Sequence, residues 1–154
     1  GTVTAANAST INDGAAALVV TREEVARARG LPVLARLEGY AGHARAPERF
    51  TTAPIGAMEK LFARLGWTPE SVARYEINEA FAVVPMAAMQ DFALPHERVN
   101  ALGGAVALGH PIGASGARIV VTLLSALERI DAQRGMASIC IGGGEALALG
   151  LERP

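Results

Sequence analysis

Arg118-Ile119-Val120-Val121-Thr122-Leu123-Leu124-Ser125-Ala126-Leu127-Glu128-Arg129-Ile130, followed after a short break by Ala137-Ser138-Ile139-Cys140-Ile141, is the stretch on which the fold turns. Val120, Leu123, Leu124, Leu127 and Ile130 recur at helical spacing and form an apolar face, with Arg118, Thr122, Ser125 and Arg129 on the polar one. Residues 137–141 read as a strand. Gly142-Gly143-Gly144 reads as a turn, and Ala146 to Leu151 as a last strand running back antiparallel. Upstream, Val99-Asn100-Ala101-Leu102 is a short strand candidate, and Asn78 could cap a helix over roughly Glu79 to Asp91, in which Pro85 either kinks the helix or marks its true start. Arg74-Tyr75-Glu76-Ile77 is a strand candidate, and Thr68-Pro69-Glu70 reads as the opening of a short turn of helix. Pro54 to Leu65 is a helix whose Ile55, Met58, Leu61, Phe62 and Leu65 share a face and whose stop is Gly66. Residues 41–53 read as a polar loop and 32–39 as a strand. From residue 32 onward the order is therefore β-α-β-α-β-α-β-β. It predicts an α/β domain with a five-stranded mixed sheet, mostly parallel, with helices on both faces.

The amino-terminal stretch has a different character. Thr2 to Ala6 and Ala15 to Val20 read as strands around the polar turn Asn7-Ala8-Ser9-Thr10-Ile11-Asn12-Asp13-Gly14. A short helix follows over Arg22–Arg29, with Thr21 as its cap and Gly30 as its stop. Strand, small-residue turn and alanine-rich strand recur at 137–151, so residues 2–20 look like the end of a second copy of the same domain. The chain opens Gly-Thr-Val-Thr without an initiator Met, already in alternation, and is expected to be part of something longer.

Composition narrows the class. The chain has 154 residues, 51% hydrophobic and 19% charged, which suffices for one real core and excludes a disordered tail. A formal net charge of −1, from 14 basic and 15 acidic side chains, gives no electrostatic reason to expect nucleic acid. No apolar run reaches the ~18 residues of a membrane span. Cys140 is the sole cysteine, so no internal disulfide can form, a Cys-based zinc site would lack partners, and a reducing, cytoplasmic setting is expected.

Open α/β sheets bind ligands at the carboxyl ends of their strands. Three such ends each deliver one polar or reactive side chain: Asn78 after strand 74–77, His110 after strand 99–102 through a glycine-rich loop, and Cys140 at the end of its strand. Alone, each has a plainer reading. Asn78 serves as a helix cap, Cys140 as a small buried apolar residue, His110 as an ordinary loop histidine. His43 and His96 lie in polar stretches and receive no role. The glycines fit neither GxGxxG nor a P-loop.

Together the motifs carry a resemblance. Asn78-Glu79-Ala80-Phe81, Gly109-His110-Pro111 and Cys140-Ile141-Gly142 match, in order and spacing, three of the four fingerprints of the thiolases. Gly104 to Arg118 is similar throughout to the family's long glycine motif. Gly1-Thr2-Val3-Thr4-Ala5-Ala6-Asn7-Ala8-Ser9 resembles the stretch that closes the family's N-terminal domain. Ala6 stands where the family commonly has Gly, and Leu102 where it has Asn, close enough to the His110 loop to disturb a hydrogen bond there.

The resemblance implies a two-half subunit, with residues 1–30 ending the N-terminal domain and 31–154 forming the C-terminal domain. It implies acyl transfer between coenzyme A and acyl-CoA, with coenzyme A as substrate, no covalently bound cofactor and no metal. A homo-oligomeric parent and an N-terminal thiolase half are the implied protein partners. The family's nucleophilic cysteine belongs to the N-terminal half and is not Cys140. By the same resemblance, His110 is the base that activates that cysteine, and Asn78 orients a water in an oxyanion hole with His110. Cys140 exchanges the α-carbon proton, and the Gly142 backbone N–H belongs to a second oxyanion hole. Ser9 contacts the pantetheine arm, with Ala80 and Phe81 lining its tunnel. A non-catalytic thiolase-like protein binding acyl-CoA or lipid, and a half-subunit that needs a partner chain, stay open. The related ketoacyl synthases typically place a second histidine where Cys140 stands.

Overall fold

The computed structural model describes residues 2–154; Gly1, the first residue of the stretch likened to the close of an N-terminal domain, lies outside them. The helices are α1 (Glu23–Ala28), α2 (Ala53–Leu65), α3 (Val83–Asp91), α4 (Ala105–Leu108) and α5 (Ser115–Arg129). The strands are β1 (Arg36–Ala44), β2 (Arg74–Ile77), β3 (Arg134–Ile141) and β4 (Glu145–Glu152). They form a four-stranded sheet in the order β1-β4-β3-β2. β2 and β3 pair in parallel, while β4 runs antiparallel to both β3 and β1. The last strand thus opposes the other three, as the glycine hairpin implied, and inserts between β1 and β3.

The sheet has four strands rather than five because residues 99–102 do not form one. Val99 makes a single parallel bridge to Tyr75. Asn100 then turns into the left-handed region at φ 48°. Its carboxamide takes the place of a neighbouring backbone: Oδ1 accepts the Ile77 N–H at 2.8 Å and Nδ2 donates to the Ile77 carbonyl at 2.9 Å.

The predicted hairpin over 2–20 is also absent. Residues 7–9 pair with 80–82 instead, through the Ala8–Phe81 bridge, and residues 11–20 run on almost entirely exposed. Alternation marks a segment able to be a strand, but a strand also needs a neighbour. The repeat inferred from that hairpin is therefore not seen among the described residues.

Smaller shifts have local causes. β1 begins four residues later than the predicted strand at 32 and continues to Ala44, so His43 lies in a strand rather than a loop. Arg22, not Thr21, occupies the cap of α1, without a side-chain hydrogen bond. α3 starts at Val83, which puts Pro85 in the first turn, where its missing N–H has no intrahelical partner to lose.

Helices cover both faces of the sheet. On one, Met58, Leu61 and Phe62 of α2 and Val84 and Ala88 of α3 pack with Trp67, Tyr75, Ile77 and Met136. On the other, Ile119, Val120, Leu123 and Leu127 of α5 pack on Ala137 and Leu151. α5 leaves an apolar groove of about 300 Å³ beside it, bordered by Leu37, Tyr40, Ile139 and Leu147. The edge strand β1 is blunted by α2: Lys60 donates to the Gly42 carbonyl at 3.2 Å and Arg64 to that of Tyr40 at 3.0 Å. No helix among the described residues is long and apolar enough to cross a membrane.

The β3–β4 turn is pinned from below. Gly144 has φ +95°, and a Cβ there would overlap the Arg45 carbonyl oxygen. Gly142 lacks a positive φ and has open space at the same point. Gly144→Ala should therefore cost about 1–3 kcal/mol in urea unfolding, and Gly142→Ala should stay within about 1 kcal/mol of the parent. Equal costs would mean that the turn does not rest on the Arg45 segment.

Candidate functional site

The carboxyl ends of β2 and β3 make one edge. Ile77 pairs with Ser138, and the Asn78 N–H continues the ladder to the Ser138 carbonyl at 2.9 Å. Asn78 therefore leaves the sheet opposite Ile139, one residue short of Cys140 on the adjacent strand. Its side chain is almost fully buried. Nδ2 lies 3.5 Å from His110 Nε2, while Oδ1 is buried without a partner.

His110 arrives from the far end of a braced loop. The Glu79 carboxylate accepts from Asn100 Nδ2 at 2.8 Å through one oxygen and from the Val106 N–H at 3.0 Å through the other. A side chain at Gly104 would occupy the space that carboxylate fills. This bracing comes from Asn100 and Glu79, so the polar support of the loop does not pass through position 102. At the end of the loop the His110 N–H donates to the Thr10 carbonyl at 2.8 Å. Behind the ring, His110 Nδ1 sits 2.6 Å from Ser115 Oγ, at the first residue of α5.

The segment before Ile11 is a strap across this edge. The Ser9 N–H and hydroxyl both donate to the Ala80 carbonyl, at 3.1 and 2.9 Å, and the Ala82 N–H donates to the Asn7 carbonyl at 2.8 Å. Phe81 stands edge-on to Phe50, with ring centroids 6.1 Å apart. Ser9 is thus bonded to Ala80 and its neighbour Ala8 bridges Phe81, and Thr10 ties this segment to His110. Cys140 is half-buried near the end of β3, and among the described residues its Sγ makes no hydrogen bond with Asn78 or His110. Gly142 stands exposed just beyond it in the turn.

Electrostatics set both reactive side chains neutral. Burial, then the Arg118 charge, pushes the His110 pKa down, leaving an uncharged ring with a lone pair. Burial pushes the Cys140 thiol up, partly offset by a backbone hydrogen bond, so it rests as S–H. Beneath them Glu76, almost fully buried, faces Arg118 at 3.4 Å, and its Oε1 has no partner.

Sequence reasoning missed Glu79, Asn100, Ser115 and the Glu76–Arg118 pair as parts of this edge. A polar Asn within an apolar run and a Glu in a strand otherwise apolar at Tyr75 and Ile77 were the available signals. Arg118, read on the polar face of its helix, is mostly buried.

Comparison with known proteins gives a consistent picture. Residues 31–153 match the family model of the thiolase C-terminal domain, and residues 1–24 that of the thiolase N-terminal domain. The chain is 55% identical over 152 residues to acetyl-CoA acetyltransferase 1 of Arabidopsis thaliana, covering 99% of this chain and 37% of the relative. Among solved structures it resembles an acetyl-CoA acetyltransferase of Bacillus anthracis, with TM-score 0.96 and 44% identity over 100% of this chain and 39% of that one. It also resembles a thiolase of Ascaris suum in complex with coenzyme A, with TM-score 0.90 and 45% identity over 100% of this chain and 40% of that one. The chain thus spans well under half the length of these relatives.

Burial raises the Glu76 pKa to about 7 against the pull of Arg118. The folded state therefore holds that proton more tightly than the unfolded chain. The resulting stability is present in full below the ordinary carboxylate pKa and is lost as pH rises through about 7. In urea titrations at a series of pH values, the stability of the parent minus that of Glu76→Gln should fall between pH ~4.5 and ~8. A difference that grows over this range would mean the ionised pair stabilises the fold.

Proposed function

The chain belongs to the thiolase family, and on that premise we propose that it supplies one half of a site that moves an acyl group between coenzyme A and an acyl-CoA. The reaction is thiolytic cleavage of a 3-ketoacyl-CoA or its reverse, the Claisen condensation of two acyl-CoAs. The observation that carries this reading is the approach of His110 Nε2 to the Asn78 side chain at the carboxyl edge of the sheet. Two chain segments brought there by different elements converge on one ring nitrogen. Residues 1–30 end the N-terminal domain and residues 31–154 form the C-terminal domain. The apolar groove beside α5 is a surface that an N-terminal half would cover. Coenzyme A is a substrate, the setting is cytoplasmic, and the parent assembles as a homo-oligomer.

In cleavage, a cysteine of the N-terminal half gives its proton to His110 Nε2 and attacks the 3-keto carbon. The neutral ring favours that transfer, since a thiol of pKa ~8.5 needs a neighbouring base to become a nucleophile. As the bond between the carbonyl carbon and the α-carbon breaks, the electron pair moves to the α-carbon, which takes the Cys140 proton. A thiol kept protonated by burial suits that donor role. The incoming coenzyme A thiol then returns a proton to Cys140 and attacks the acyl-enzyme. The nucleophile leaves as a thiol by recovering its proton from His110.

Charge on the thioester oxygens calls for fixed donors, each worth about 2.7–4 kcal/mol where one has been deleted elsewhere. Protonated Nε2 with a water held by Asn78 makes one such hole. The buried, unpartnered Asn78 Oδ1 is an acceptor for that water. The Gly142 N–H contributes to the other hole. Ser9 has committed its hydroxyl proton to Ala80, so it meets the pantetheine arm as an acceptor for an amide N–H, with Ala80 and Phe81 forming the tunnel wall beside it.

In the longer subunit, His110→Ala should reduce formation of acyl-enzyme from acetyl-CoA by at least about 100-fold. Cys140→Ala should still acylate but fail to exchange α-protons in deuterated water. Intact-mass spectrometry and proton NMR read the two steps separately, and equal loss of acylation in both variants contradicts the assignment. The 154-residue chain alone, whose only cysteine is the proton donor, should show no turnover above a Cys140→Ser control.

A further inference from the structure

We propose that Ser115 is a positioning residue that holds His110 in the Nδ1–H tautomer, so that Nε2, the atom facing Asn78, carries the lone pair. Ser115 is fully buried, so water does not substitute for it. Its Oγ contacts two atoms: His110 Nδ1 at 2.6 Å and the Pro111 carbonyl oxygen at 3.1 Å. A carbonyl only accepts, so the hydroxyl proton points to Pro111, which also takes the Ala114 and Ser115 N–H groups at the start of α5. Oγ then presents lone pairs to Nδ1. Two lone pairs cannot face each other at 2.6 Å, so the ring proton is on Nδ1.

The other side of the ring agrees. The Asn78 amide nitrogen, a donor, lies 3.5 Å from Nε2. If Ser115 instead donated to Nδ1, the Nε2–H would face that amide N–H, donor against donor. The arrangement with Nδ1 protonated sets a donor against an acceptor at every contact. Ring tautomers are set in this way by the hydrogen bond on the opposite nitrogen. Ser115 opens α5, whose Ile119, Val120, Leu123 and Leu127 are anchored on the sheet. The orienting hydroxyl therefore sits on a rigid element rather than on the loop that carries His110.

The functional meaning of this inference rests on the acyl-transfer reading, while the tautomer itself does not. The test uses the 154-residue chain labelled with 15N-histidine, which contains three histidines, His110 being identified by its loss in His110→Asn. At pH 8, long-range 1H–15N spectra should show His110 with a protonated Nδ1 and an unprotonated Nε2. Ser115→Thr should keep this pattern. Ser115→Ala should shift it toward Nε2–H, with Ser115→Cys in its place if the alanine variant does not fold. An Nε2–H form in the parent, or an Nδ1–H form unchanged in Ser115→Ala or Ser115→Cys, overturns the proposal.

In the longer subunit the same alanine change should slow acylation about 10–100-fold with little change in KM, in the range seen for partners that orient metal-bound histidines. Ser115→Thr should restore the rate. Acylation by the parent with no response to Ser115→Ala counts against Ser115. The predicted tautomers together with a parent that never acylates count against the acyl-transfer reading instead.

Discussion

The carboxamide of Asn100 holds the end of β2, and the candidate site depends on that grip. By binding the Ile77 N–H and carbonyl together, it closes the sheet edge without a further strand. The next residues on either side are thereby released into the space above the sheet. Asn78 is then free to turn toward His110, and Glu79 to reach across to Asn100 and the Val106 N–H. Each buried amide group thus held would otherwise cost about 1–3 kcal/mol unpaired. One side chain therefore ends the sheet, starts the candidate edge and anchors the loop that delivers His110.

That edge is dry enough to govern protonation. Burial lowers the basicity of His110 and raises that of Cys140, so both groups rest uncharged though one is a cationic acid and the other an anionic base when titrated. Below the edge Glu76 faces Arg118, and burial favours its protonated form, while the Glu79 carboxylate beside them is held by Asn100 and the Val106 N–H. A neutral imidazole and a neutral thiol thus stand near one end of the sheet. The stitching of Ser9 to Ala80 and of Thr10 to His110 makes the strap part of this edge, although it lies far away in sequence.

Much of this was legible in the residues because it depends on local periodicity. The α5 helix shows a clean apolar stripe, β2 appears at Arg74–Ile77 as read, and α2 ends at Gly66 in the left-handed conformation expected of such a stop. Asn78 and Cys140 were placed at strand ends by topology alone, whereas the strand read before His110 is not formed and His110 reaches the edge on the loop braced by Asn100 and Glu79. What could not be read depends on partners distant in sequence. Asn100 looked like an interruption in an apolar run because its partner, Ile77, is 23 residues away. Thr2 to Ala6 had the right alternation and Ala15 to Val20 the apolar run of a strand, but neither has a neighbouring strand, so they did not pair. Ser115 lay within a quoted motif, yet its contact with His110 exists only once α5 is docked on the sheet.

The strap has a consequence for how the site opens. Ser9 and Ala80 are 71 residues apart along the chain, in contrast to the i,i+4 contacts that build α5. Closing a loop of that length carries an entropic cost that rises only slowly with length but must be met before any contact rewards it. The sheet already carries longer closures, such as Arg36 to Glu152 across β1 and β4, so sequence separation does not set the strap apart. What does is its sparse support: a few hydrogen bonds to residues 80–82 and His110, with residues 2–6 and 11–20 almost all exposed on either side. Segments held so lightly open locally while the core stays closed, which makes the strap a separately opening unit laid over a fixed sheet.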